Sequence, residues 1–193
     1  MSNIYSETSF CLLNGKPTEL KIFDIFDFRK FDTFHGVTYS ASRKFILKYL
    51  FNYRSLDLIV GIPKDAMQKE IHNTFEDMNN FYKVHYKKPS DFDLKKDFLG
   101  AEMYIPPRGV IHSKIYLLSN KKLGNYRVIT GSANLSMAAF SNQKDQYEEI
   151  NISDNKEDYD LYLNRYLELR NKTIGYMDME TKKYLRKLGY FKD

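Results

Sequence analysis

A single cysteine, Cys11, in 193 residues excludes an internal disulfide framework and any multi-cysteine zinc site. Tryptophan is absent. No stretch approaches the roughly 18 uncharged apolar residues that span a bilayer, so no membrane partner is expected. The opening MSNIYSETSF lacks a basic segment followed by an apolar one, and no secretory signal is read there. Without disulfides or a signal, the expected setting is the cytoplasm. Internal repeats, low-complexity tracts and Gly/Ser- or Pro-rich linkers are missing too, so a single domain over 1–193 is expected. Its core is placed at about 36–155 and its C-terminal helices at about 156–193. The ending RKLGYFKD carries no terminating signal, which leaves open that the domain belongs to a larger chain or complex.

What is present is a globular composition. Hydrophobic residues make up 42% and charged residues 28%, the balance of a soluble globular chain rather than a disordered or fibrous one. Thirty Lys and Arg against 25 Asp and Glu give a net charge of +5. That mild excess is compatible with a polyanionic partner and does not by itself identify one. The 16 Tyr and 14 Phe are expected mainly in the core, with a few exposed Tyr able to stack on bases or sugars.

Residues 1–35 read as two or three short strands and turns, with Asn14-Gly15-Lys16-Pro17 as a turn between SFCLL and TELKIFDIF. Gly36-Val37-Thr38-Tyr39 reads as a short strand, after which Ser40 or Ser42 caps a helix through FILKYLFNY. LDLIVGI, followed by Pro63, has the pattern of a buried strand. KDAMQKEIHNTFEDMNNFY places Met67, Ile71, Phe75 and Met78 on one helical face. The charge-rich KVHYKKPSDFDLKKDF is expected to begin as a short strand before a surface loop. VIHSKIYLL, YRVIT and YEEINI read as strands, GSANLSMAAF as a turn leading into a short helix, and the chain from Lys156 as helical to near its end. Strands alternating with helices, then several strands, predict an α/β fold: an αβα sandwich around a mixed, mostly parallel sheet.

The chemistry lies in His112-Ser113-Lys114 and Gly131-Ser132-Ala133-Asn134. Strand residues two apart share a face, so His112 and Lys114 point the same way. Two adjacent cations disfavour each other's protonation, which favours a neutral, nucleophilic imidazole. Gly131 permits a tight turn, Ser132 and Asn134 supply short polar side chains, and the backbone N–H groups that follow suit an anion. Together these are the parts of a phosphate-binding site with its own nucleophile. His35, His72 and His85 are read as ordinary satisfied polar residues. His85-Tyr86-Lys87 repeats the tripeptide, but Lys88-Pro89 breaks its strand and no G-S-x-N follows.

The two motifs, in this order and spacing, resemble the phospholipase D superfamily, whose pattern is H-x-K, four residues, D, then G-S-x-N. His112, Lys114, Gly131, Ser132 and Asn134 match. Ser119 stands where the family has Asp, a departure often found in phospholipase D-like nucleases, including a group of restriction endonucleases. The family also places an acidic residue downstream, a setting that Gln146-Tyr147-Glu148 fits, with Glu149 the alternative. The resemblance implies a metal-independent phosphodiesterase without a cofactor. One His forms a phosphohistidine while a second protonates the leaving oxygen and then activates water. Lys114, Asn134 and Ser132 would bind the phosphate, and Glu148 would hold the His112 tautomer. Ser113 is expected to face away and pack.

A chain with one complete motif needs its second His from another copy, so the resemblance implies a homodimer with the site at its interface. The substrate expected is nucleic acid, most of all DNA, in a restriction or phage-defence setting, with a helicase, ATPase or DNA-reading partner or domain supplying specificity. Lys83, Lys87, Lys88, Lys95 and Lys96 are either an approach for the phosphate backbone or a solvated loop. Two other classes remain at this point: a phospholipid-hydrolysing or phosphatidyl-transferring enzyme, and a non-catalytic nucleic-acid-binding module.

Overall fold

The computed structural model describes residues 8–13, 16–62, 65–85, 100–107, 109–140 and 148–176. The strands are β1 (Thr8–Leu13), β2 (Lys16–Lys21), β3 (Thr33–Thr38), β4 (Ser55–Val60), β5 (Gly100–Ile105), β6 (Ile115–Asn120), β7 (Asn125–Gly131), β8 (Glu148–Ser153) and β9 (Ile174–Gly175). The helices are α1 (Ile22–Ile25), α2 (Arg43–Phe45, continued by a π-turn over Ile46–Leu50), α3 (Asp65–His85) and α4 (Lys156–Asn171). The strands form one sheet in the order β2-β1-β8-β7-β6-β3-β4-β5-β9.

The sheet is mixed, as expected, but its pairings are mostly antiparallel. Parallel pairs join β1 to β8, β3 to β4 and β4 to β5, whereas the other neighbours run antiparallel. The reason lies in the connections. Residues 121–124 link β6 to β7 too tightly for a parallel crossover, which needs a dozen residues or more. Strand β6 then lies antiparallel to β3 at mid-sheet, from Thr33 opposite Ser119 to Val37 opposite Ile115.

Alternation along the strands divides the interior in two. Phe34, Leu56, Leu58, Met103, Tyr116, Leu118, Ile129 and Ile150 face α1, α2 and α3, whose Ile22, Ile25, Phe45, Ile71, Phe75 and Met78 complete that layer. Val37, Ile59, Leu117 and Val128 face α4 through Tyr159 and Tyr166. This is the αβα sandwich, and period-two burial on both faces is its physical signature.

Local signals account for most boundaries. The Ser42 hydroxyl caps α2 by accepting from the Phe45 N–H at 3.3 Å. Asn155 caps α4 by accepting from the Glu157 N–H at 2.8 Å, and Glu157 and Asp158 sit in the first turn, where the helix dipole favours acids. Helix α3 includes Lys83-Val84-His85, where a strand was expected, because no Gly or Pro interrupts the chain between Asp65 and His85. Helix α4 stops at Asn171 and is followed by β9, which closes the sheet edge against β5, so the helical reading from Lys156 ends early. The remainder of that C-terminal reading, the turn at Asn14-Gly15 and residues 86–99 lie outside the described residues. Among the described residues, no helix is long and apolar enough to cross a membrane.

Candidate active site

The site forms at one end of the central strands, where the carboxyl ends of β3, β4 and β7 meet the amino ends of β6 and β8. His112-Ser113-Lys114 lies just ahead of β6 and outside its ladder, rather than within a strand as expected. The chain there is held by β4. The Ile111 N–H donates to the Gly61 carbonyl at 3.4 Å, and a Cβ on Gly61 would lie 1.8 Å from the Ile111 oxygen. Only glycine lets the two backbones approach so closely.

His112 and Lys114 share a side, as their spacing requires. The Lys114 Nζ lies 3.1 Å from His112 Nδ1 and donates to the His112 carbonyl at 2.8 Å. Lys114 is 8% exposed and has no salt-bridge partner among the described residues. Burial lowers its pKa from the ordinary lysine value, and the nearby Glu148 carboxylate pulls it partly back. An ammonium donating to Nδ1 places the proton of a neutral imidazole on Nε2. Tyr39, just after β3, packs its ring 4.8 Å from that of His112, with the Lys114 ammonium 5.9 Å from its centroid. Ser113 is exposed rather than packed, because the segment has not yet entered the β6 ladder.

The second motif is tied to the first through β3. Asn134 Oδ1 accepts from the Ser40 N–H at 3.2 Å and from the Thr38 hydroxyl at 3.3 Å, which leaves the Nδ2 end to donate to an anion. The buried Tyr116 hydroxyl donates to the Ala133 carbonyl at 2.6 Å, and burial pushes the phenol far above its ordinary pKa, so it stays a donor. Leu135 bridges to Ala41 and accepts from the Ser42 N–H at 2.9 Å. Residues 137–140 form turns, not the short helix expected after GSAN, so the helix N-terminus invoked for an anion is absent there. Ser136 instead accepts from the Ala139 N–H at 3.2 Å.

Gly131 ends β7 at φ +152°, and a Cβ there would meet the Glu149 carbonyl at 1.8 Å. The turn beyond it is fixed by three bonds. Ser132 N–H donates to the Glu149 carbonyl at 3.0 Å, Glu149 N–H donates to Ser132 Oγ at 3.0 Å, and the Ser132 hydroxyl donates to the Glu148 carboxylate. The structure separates the two glutamates. Glu148 shares the face of buried Ile150 and acts on Lys114, whereas Glu149 is exposed with its carboxylate beside Asn151. Glu148 binds Ser132 rather than His112, so its expected hold on the His112 tautomer is not made within this chain.

Ser119 lies outside the site. It is 1% exposed near the far end of β6, on the α4 face, and accepts from the Tyr159 hydroxyl at 3.0 Å. Its place in the family pattern therefore marks a buried packing position here. Sequence reasoning missed Gly61, Thr38, Tyr39 and Tyr116; only Gly61, between an apolar strand and Pro63, carried a visible signal. Lys87, Lys88, Lys95, Lys96, Gln146 and Tyr147 lie outside the described residues, as does the side chain of Lys83. Among the described residues, no three His, Cys, Asp or Glu side chains cluster as metal ligands.

No curated protein matches the chain. The family model described as the NgoFVII restriction endonuclease N-terminal PLD domain matches residues 37–182, which take in both motifs, Glu148 and every strand from β4 to β9. With the fold, and with the H-x-K and the G-S-x-N brought together at one end of the central strands, the chain belongs to this family of restriction-endonuclease PLD domains.

Proposed function

We propose that this chain is a single catalytic domain that cleaves DNA without a metal ion, through a phosphohistidine on His112, at a site completed by a second copy. The observation that carries the reading is the buried Lys114. An ammonium held largely out of water against an imidazole, with no carboxylate bonded to it among the described residues, is a strong electrostatic partner for an incoming phosphodiester. Asn134 Nδ2 supplies a second donor, and Ser132 shapes the turn beside it.

The chemistry follows from these groups. As the phosphodiester enters, Lys114 turns its ammonium from Nδ1 to the phosphoryl oxygens and frees a ring lone pair. His112 attacks phosphorus, a P–N bond forms, and the P–O bond to the leaving strand breaks. The second copy's His112, as the imidazolium, gives one ring proton to the leaving oxygen and becomes a neutral imidazole. That imidazole then takes a proton from water, whose oxygen attacks phosphorus and breaks the P–N bond. Lys114 and Asn134 meet the charge that gathers on the phosphoryl oxygens, the role a metal ion plays elsewhere.

Among the described residues no element is evidently built to read bases, so a helicase, ATPase or DNA-reading partner or domain is proposed to supply specificity in a restriction or phage-defence system in the cytoplasm. The experiment is digestion of plasmid and single-stranded DNA in millimolar EDTA by wild type, His112→Ala and His85→Ala. Wild type and His85→Ala should cleave. His112→Ala should lose several orders of magnitude in rate while remaining folded. Strict dependence on added magnesium, or wild-type cleavage by His112→Ala, would overturn the assignment.

A further inference from the structure

We infer that Tyr39, which belongs to neither motif, is a positioning residue of the reaction: its ring is the wall that fixes His112 and Lys114 relative to each other and to Asn134. The inference rests on the nuclease reading above and adds a residue to it. Tyr39 is the bend that follows β3, between Thr38 and Ser40, and this segment touches both halves of the site. Thr38 and Ser40 hold Asn134 through its Oδ1 at 3.3 and 3.2 Å. Between them, the Tyr39 ring lies 4.8 Å from the His112 ring at 48° and 5.9 Å from the Lys114 ammonium.

The geometry suits a π-face. His112 and Lys114 precede β6, outside the ladder, so backbone pairing within the sheet does not fix their side chains. An aromatic wall limits the imidazole to a narrow set of ring orientations and offers its quadrupole to the neighbouring ammonium. The segment itself is well anchored. The Thr38 side chain is buried, its single hydroxyl proton is shared between Asn134 Oδ1 and the Ser40 carbonyl at 2.8 Å, and Gly61 N–H donates to the Thr38 carbonyl at 2.8 Å. Tyr39 packs on the core from a half-buried position, so its ring is held on one side and meets the site on the other. A nucleophile displaced by about an ångström can lose on the order of a hundredfold in rate.

The test compares Tyr39→Phe, Tyr39→Leu and Tyr39→Met in the full chain with wild type. Plasmid cleavage is read as kcat and KM, and the His112 ring protons are followed by NMR, assigned by their loss in His112→Ala. Tyr39→Phe should keep kcat within about threefold, because the ring and not the hydroxyl acts. Tyr39→Leu and Tyr39→Met should lower kcat by roughly tenfold to a hundredfold, with KM changed less than about threefold. Both should also lose the ring-current displacement of the His112 signals. Met is included because its flexible chain fills the volume if Leu does not fold. Unchanged kcat in the folded Leu and Met variants would overturn the inference. A loss confined to KM would overturn it too, marking the ring as a DNA-stacking surface. So would a Phe variant as impaired as Leu. The NMR readout needs no cleavage, so an inactive wild type with the ring-current change present would fault the nuclease reading, whereas active protein without that change would fault the role of Tyr39.

Discussion

Gly131→Ala isolates the point where fold and site meet. An added Cβ would lie 1.8 Å from the Glu149 carbonyl oxygen, and reaching the 3.0 Å floor of real contacts requires about 1.2 Å of backbone movement. The backbone at φ +152° is also one that L side chains rarely adopt. Strain of this kind costs about 1–2 kcal/mol. Overpacking against a paired strand adds about 1–3 kcal/mol. Loss of the Ser132 N–H bond to the Glu149 carbonyl adds about 1 kcal/mol. The expected destabilisation is therefore roughly 3–6 kcal/mol, read by urea denaturation. Gly124→Ala is the matched control. It also has positive φ, at +67°, but nothing lies within 4 Å of its Cβ position, so it should lose only about 1–2 kcal/mol. Because the movement falls between Ser132 and Glu149, folded Gly131→Ala should also lose on the order of a hundredfold in DNA cleavage, and Gly124→Ala almost none. Equal stability losses in the two variants would refute the close approach of β7 and β8 at Gly131. Full activity in Gly131→Ala would refute the placement of the GSAN turn in the site.

Two further outcomes follow from the site. If it is shared between two copies, mixing His112→Ala with wild-type chains should yield inactive mixed dimers, and activity should fall faster than the wild-type fraction; a strictly proportional fall, or a fully active monomer by sedimentation, would contradict it. Burial lowers the Lys114 pKa and Glu148 opposes that shift, so cleavage should decline with rising pH earlier than an exposed lysine would dictate. Glu148→Gln should move this alkaline limb to lower pH, and Lys114→Arg, whose guanidinium stays charged, should remove it at reduced kcat. The stability contribution has the opposite sign: the buried ammonium costs stability below its folded pKa, and the cost is relieved as pH rises from that value to the unfolded one. Limbs that coincide in all three proteins would exclude Lys114 as their source.

Both motifs were legible because each is local in sequence. His112 and Lys114 are two residues apart, and Gly131, Ser132 and Asn134 fall within one turn, so their mutual placement needs little tertiary information. The parts that misread depended on distant partners. Nothing near His112 says that its segment leaves the ladder, since that is imposed by Gly61 approaching Ile111. The role of Glu148 turned on Ser132, 16 residues away. The balance of parallel and antiparallel pairing is likewise a property of how β3 and β6 meet, not of either strand's composition. Glu148 over Glu149, by contrast, was within reach: Glu148 is two residues from Ile150, and the apolar parity of β8 assigns it to the inner face.

The Thr38-Tyr39-Ser40 segment at the end of β3 shows why the supporting residues escape a motif. Asn134 lies 96 and 94 residues from its partners Thr38 and Ser40, and those partners work through a hydroxyl and a backbone N–H that many sequences could supply. A phosphate-binding lysine must be a lysine or arginine, and a nucleophilic imidazole must be a histidine, so chemistry leaves those positions visible. A backbone donor at Ser40 carries almost no residue identity, and Gly61 reports only that space is short. The residues that would meet the phosphate are thus written in residue types, whereas their support is written in how the ends of β3 and β4 meet the segments before β6 and after β7. Perturbing that junction at Gly61 or Tyr39 should alter catalysis without touching either motif, and that separation is what distinguishes a preorganised site from two motifs that merely lie close together.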